Sequence, residues 1–128
     1  MAPFIEKYRD KVGLPPGTLV HVGRESSEQC RITVFNYDEK QFEEQTVNTV
    51  EGCLPHIQKP GIIWINIAGV HQTEVIESIG NLFSIHPLVL ADIVNTRQRP
   101  KIEDFENYLF VVLKMIYTGE NGQNIKSE

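Results

Sequence analysis

The spacing of apolar positions divides this chain into elements. From Arg31 to Tyr37, RITVFNY, β-branched and aromatic residues predominate and predict a strand. Asp38-Glu39-Lys40 turns the chain, and Gln41 to Val47 returns as the second arm of a hairpin. After the breaker Lys59-Pro60-Gly61 comes a nearly continuous apolar run, Ile62-Ile63-Trp64-Ile65-Asn66-Ile67. It does not alternate, and this predicts a strand covered by helices on both faces. The period then becomes helical. Over Thr73 to Phe83, Val75, Ile76, Ile79, Leu82 and Phe83 fall on one face, with Glu74, Glu77 and Asn81 facing out. Ser84 breaks this helix. Pro87 starts another at a position where its missing N–H costs nothing. That helix offers Leu88, Val89 and Ile93 to the core, with Leu90 at the margin, and fades at Asn95-Thr96.

Weaker signals fill the remainder. Ile5 and Tyr8 fit one helical turn, and Gly13-Leu14-Pro15-Pro16-Gly17 is a rigid turn feeding a strand from Thr18 to Val22. Thr49 to Gln58 reads as a short helix that Pro55 distorts or stops early. Ile102 to Phe105 is a short strand, Glu106-Asn107 a turn, and Tyr108 to Thr118 the central long strand. Asn121-Gly122 signals a further hairpin, with its return strand starting at Ile125. Because the sequence stops just there, it is read as the N-terminal piece of a longer protein. The order of elements predicts an α/β fold bordering on α+β, a mixed sheet sandwiched by helices. One domain is expected over 1–128, with 119–128 as a polar hairpin turn and tail.

Composition narrows the class. At 128 residues, 41% hydrophobic and 23% charged, the chain can bury a core and is not disordered. A net charge of -5 argues against binding a phosphate backbone, which needs clustered Lys and Arg. Cys30 and Cys53 form no Cys-x-x-Cys pair, so a zinc knuckle or thioredoxin-like motif is excluded. Both are expected as buried thiols in a reducing compartment. The N-terminus lacks the apolar core of a secretory signal, and no stretch approaches the ~18–20 apolar residues of a membrane span. A soluble chain facing the cytoplasm is expected.

Candidate chemistry is sparse. His21, His56, His71 and His86 share no metal-ligand spacing, and His86, just before Pro87, suits capping or packing. No nucleophile, base and oxyanion-donor set can be assembled, so no enzyme activity is expected. Glu43-Glu44 and Glu103-Asp104 lie on strands, where adjacent side chains diverge. Arg97-Gln98-Arg99-Pro100-Lys101 is a basic cluster with acidic flanks, suited to a solvated loop or to salt bridges with Asp92, Glu103 and Asp104. Asp92 stands out, because it lies at the rim of an otherwise apolar helix and must stay exposed or find a partner. That partner could be Arg97 or Arg99, another subunit, or a cation.

The segment Ile85-His86-Pro87-Leu88-Val89-Leu90 with Asp92-Ile93, followed by Gln98-Arg99-Pro100-Lys101 and Tyr108-Leu109-Phe110, resembles the CorA family of magnesium channels. GIIWINIAG from Gly61 to Gly69 and the early Gly13-to-Val20 stretch fit the same pattern. The resemblance implies a cytoplasmic N-terminal α/β/α domain, followed in the family by a long stalk helix and two transmembrane helices with a Gly-Met-Asn pore signature. It implies a homopentamer at the cytoplasmic face of the cell membrane, with Mg2+, and in some members Co2+, Ni2+ or Zn2+, as the transported ion. No tightly bound cofactor is implied. Asp92 then corresponds to one half of an inter-subunit Mg2+ sensing site whose occupation favours the closed channel. Many relatives carry a second carboxylate directly before it, whereas this chain has Ala91. With the opposing carboxylate on the stalk, weak Mg2+ binding is expected of this chain alone. The competing reading is a free-standing cytosolic module that binds metal or a small ligand without transport.

Overall fold

The structure, a computed structural model, describes residues 13–15, 18–21, 29–119 and 125–127. Ile5, Tyr8, Val22 and the Asn121-Gly122 turn lie outside them. The architecture is mixed α and β, as the pattern predicts. Two compact units divide the chain, Met1–Thr96 and Arg97–Glu128.

In the first unit β1 (Arg31–Tyr37) is the middle strand of a three-stranded antiparallel sheet. Its neighbours are β2 (Phe42–Val47) and β3 (Ile62–Ala68). The β1–β2 register runs from Ile32 opposite Val47 to Tyr37 opposite Phe42. The β1–β3 register runs from Arg31 opposite Ala68 to Tyr37 opposite Ile62. The hairpin turn is fixed by Asp38, whose Oδ1 accepts from the backbone N–H groups of Lys40 (2.7 Å) and Gln41 (3.0 Å). Gly61, at φ +101°, brings the chain into β3. A Cβ there would lie 2.8 Å from the Tyr37 carbonyl oxygen, so only glycine fits.

Alternation splits the sheet into two faces. Ile32 and Val34 of β1 form a core with Ile63, Ile65 and Ile67 of β3, closed by Val50 and Cys53. A 3-10 turn (Glu51–Cys53) runs into the one-turn α1 (Leu54–Ile57). Pro55 sits in the first turn of α1 and does not distort it, because no intrahelical donor is missing there.

α2 (Thr73–Phe83) keeps the bounds predicted for it. Val75, Ile79 and Leu82 pack on the first core, and Ile76 enters a second one with Leu90 and Val94. The helix ends on Ser84, which takes the left-handed conformation at φ 54°. Ile85 N–H bonds the Gly80 carbonyl at 2.9 Å and Ser84 N–H that of Asn81, a Schellman closure. α3 (Pro87–Ile93) begins immediately. His86 caps it, its Nδ1 accepting from Leu88 N–H at 3.1 Å. Val89 and Leu90 are buried, but Leu88 is exposed, contrary to the sequence reading. At about 100° per residue, Leu88 lies roughly 200° around the helix from Leu90, on the opposite side.

Three other expectations fail locally. Thr18 to His21 is described but not a strand. Thr18 instead folds back, its N–H and hydroxyl both bonding the Pro15 carbonyl. β3 is not covered on both faces, since Ile62 and Trp64 are exposed. Tyr108 to Thr118 is not one long strand. The second unit holds the antiparallel pair β4 (Lys101–Phe105) and β5 (Tyr108–Val112), then a break at 113–115. The pair β6 (Ile116–Thr118) and β7 (Ile125–Ser127) follows. The interruption follows from pairing: β4 is five residues long and its register ends with Lys101 opposite Val112, leaving Leu113 without a ladder partner there.

Candidate functional site

α3 presents the candidate residue. Leu90 and Val94 anchor its inner side, and Asp92, half-buried, lies in its last turn. Four residues apart, Leu88 and Asp92 share the outer side. The Asp92 backbone oxygen accepts from Asn95 N–H at 3.1 Å. Asp92 thus belongs to the C-terminal turn of the helix, the end that carries partial negative charge. A cation is favoured there and a second anion is not. Ala91 beside it is also half-buried. Among the described residues no group of three or more His, Cys, Asp or Glu side chains is placed to hold a metal ion. Asp92 thus offers one oxygen donor group, not a complete shell.

The histidines divide by role. His86 is the cap. His56 is buried and clasped by Asn36 of β1, whose amide donates to the His56 carbonyl at 3.1 Å and whose Oδ1 pairs with His56 Nδ1 at 3.0 Å. This ties α1 to the sheet and satisfies two buried polar side chains at once. His21 Nδ1 lies 3.1 Å from the Val94 carbonyl. Its ring meets that of His71 edge-on, at 6.4 Å between centroids. The sequence reading missed the Asn36–His56 clasp.

Both cysteines are free thiols, Cys53 buried and Cys30 half-buried. Burial pushes both thiols up, with Glu51 adding to the effect at Cys53, so they stay protonated and weakly nucleophilic at neutral pH. On the surface, Glu43 pairs with Lys59 at 2.5 Å, and the Lys59 hydrogen bond holds the Glu43 carboxyl below the usual range. Lys101 of the basic cluster bonds Glu103 at 3.0 Å and lies 5.2 Å above the Phe110 ring. Glu103 and Asp104 pair with Phe110 and Leu109 and diverge, as expected of strand neighbours.

A further feature is an open aromatic face. Phe35 stands between Phe42 (6.1 Å between centroids) and Trp64 (5.7 Å) on the side of the sheet away from the core. Together with Tyr37 they line a cleft of about 630 Å3, edged by Asp38, Lys40 and Gln41. The signal was the odd-position alternation Phe35, Tyr37 against Phe42, Ile62 and Trp64, which the apolar continuity of β3 obscured.

Among the described residues no helix is long and apolar enough to cross a membrane. Residues 59–127 match the family described as CorA-like Mg2+ transporter protein. The cobalt/magnesium transport protein CorA of Thermotoga maritima is 48% identical over 118 residues, which is 92% of this chain and 33% of that protein. The chain therefore spans about a third of the length of this relative.

Proposed function

Because the chain belongs to the CorA-like Mg2+ transporter family, we propose that it is the cytoplasmic metal-sensing domain of a magnesium and cobalt transporter. In this reading Asp92 supplies one carboxylate of a Mg2+ site shared between neighbouring subunits of a homopentamer. The observation that supports it is the placement of Asp92: a half-buried carboxylate in the last turn of α3, four residues on from the exposed Leu88. A hard cation needs six or more oxygens, and one carboxylate leaves most of them to water and to a second chain.

The chemistry follows from repulsion. Two carboxylates brought together across an interface repel one another until a divalent cation sits between them. Mg2+ then binds the assembled arrangement better than the separated one and shifts the population toward it. Closure of the pore is the consequence of that assembled state. Ala91 adds no second carboxylate beside Asp92, so α3 contributes a single donor group to the shared site. The ion is both regulator and cargo; Co2+ is the second transported ion, and oxygen donors of this kind also accept Ni2+ or Zn2+ at need.

The test is Mg2+ titration of the chain by calorimetry, alongside Mg2+-dependent protease protection of a full-length transporter carrying this domain. Wild type is expected to gain protection with rising Mg2+. Asp92→Ala is expected to need at least tenfold more Mg2+ for the same protection, with the isolated chain binding only at millimolar concentration. Micromolar binding by the isolated chain that survives Asp92→Ala would overturn the reading.

A further inference from the structure

The helix that carries Asp92 is seven residues long. So short a helix has no stability of its own, and its place is set by what grips it. Two contacts grip α3, one through Leu90, two residues before Asp92, and one through Val94, two residues after it.

The first contact is with α2. Leu90 is buried and lies directly on Gly80. A Cβ at Gly80 would stand 3.0 Å from Leu90 Cγ, 2.8 Å from Cδ2 and closer still to Cδ1, whereas carbon atoms in contact stand about 3.5–4.0 Å apart. The helical backbone of α2 does not ask for glycine here, and glycine inside a helix is less stable than alanine. The close approach of Leu90 asks for it. Leu90 has little room to swing aside, because Ile76 and Val94 pack around it. The Gly80 carbonyl also accepts from Ile85 N–H, so one residue fixes both the corner between the helices and the seat of α3.

The second contact comes from the segment before β1. His21 Nδ1 lies 3.1 Å from the Val94 carbonyl oxygen. A carbonyl only accepts, so Nδ1 carries the proton and donates it. This satisfies one of the last carbonyls of α3, which the helix itself leaves without a partner. The His21 ring is in turn backed by the edge of His71. His71 sits over Gly69, where a Cβ would stand 3.0 Å from its Cε1 and where φ is +101°. Gly69 thus makes room for His71, and His71 steadies His21 against the end of α3.

We propose that Gly80 and His21 are positioning residues for the Asp92 carboxylate, holding α3 where that carboxylate meets the cation; this rests on the Mg2+ reading above. Mg2+ demands near-ideal octahedral oxygens at about 2.0–2.1 Å, so its binding feels small displacements of a donor. A methyl group at Gly80 drives α3 outward by about 1 Å, and a binding group tolerates only about 0.5 Å. Loss of the His21 bond frees the other end of the same helix.

The test is the Mg2+ midpoint of protease protection in a full-length transporter carrying this domain, with thermal melts of the same proteins alongside. Gly80→Ala and His21→Leu are each expected to raise the midpoint about tenfold, as the loss of a group that orients a metal ligand does. Two rescues separate positioning from general damage. Gly80→Ala with Leu90→Val adds one carbon and removes one, and it should return the midpoint to within about twofold of wild type. His21→Asn keeps an N–H donor for the Val94 carbonyl and should do the same. Ile32→Ala, in the core that does not include α3, should lower the melting temperature at least as far as Gly80→Ala and leave the midpoint unchanged. Wild-type midpoints in Gly80→Ala and His21→Leu, with a raised one in Asp92→Ala, would overturn this proposal alone. So would an equal rise in Ile32→Ala, which would mean that the midpoint follows stability, or failure of both rescues. An unchanged midpoint in Asp92→Ala would bring down the Mg2+ reading and this proposal with it.

Discussion

Ile32 and Val34 are each 1% exposed on one side of β1, while the next residue along the same strand, Phe35, belongs to a cluster whose members Phe42 and Trp64 stay in solvent. The two faces are built from the same residue types. Ile63, Ile65 and Ile67 of β3 are no more apolar than Ile62 and Trp64 between them. What differs is what lies across from them: α2 and the Glu51–Cys53 turn on one side, open cleft on the other. Apolarity alone thus does not make a core. A covering layer does, and among the described residues only one face has it.

The largest expected effect contrasts the two faces directly. Ile32→Ala should lower unfolding free energy by about 2–5 kcal/mol in urea denaturation, through lost burial and an unfilled cavity. Phe42→Ala, at concentrations where the chain is monomeric, should cost less than about 1 kcal/mol despite removing the larger side chain. Equal losses would mean that both faces are buried in solution.

The polar clasp under the covered face sharpens the comparison. Asn36→Ala removes the donor to the His56 carbonyl and the partner of its Nδ1. Two buried groups are left without partners, at a cost of about 1–3 kcal/mol. Asn36→Asp, which keeps one acceptor but brings a charge, should not rescue it.

The smallest effect lies at the edge of the open face. Asp38 is held below the usual carboxylate range, first by the Lys40 N–H and then by Gln41. Its folded-state value is depressed, so its contribution is present above the ordinary carboxylate range and is lost as pH falls through the lowered value. Asp38→Asn should therefore lower stability slightly near pH 7 and leave it unchanged at the acid end, flattening the acid limb of the stability–pH curve, as read by thermal melts between pH 2 and 7.

Much of this was legible in the sequence because local periodicity is a local property. Arg31–Tyr37 and Thr73–Phe83 appear with the bounds their patterns predict. The capping role of His86 followed from its place before Pro87. What failed depended on partners distant in sequence. Ile-Ile-Trp-Ile-Asn-Ile reads alike whether one face or two are covered. Leu88 and Leu90 are equally apolar, and only the position of α2 decides which points inward. The run from Tyr108 to Thr118 has uniform β propensity, yet ladder pairing ends where β4 ends. Asn36 and His56 stand 20 residues apart and carry no motif. Asp92 came from its setting on an apolar helix and from family resemblance; charge counting alone would have left it among seventeen acidic residues.

The central place of β1 also sets an order of events. Its partner β2 is four residues away, across the turn 38–41, whereas β3 arrives only after the 24 residues 38–61. Closing the longer loop costs about 1.6 kcal/mol more chain entropy by the logarithmic rule. The hairpin therefore zips first, and the sheet waits for β3 to return with the isoleucines that make its inner face worth burying. Until then Phe35 and Val34 are equally wet. The distinction between the two faces is acquired late, at the step when the chain closes its first long loop.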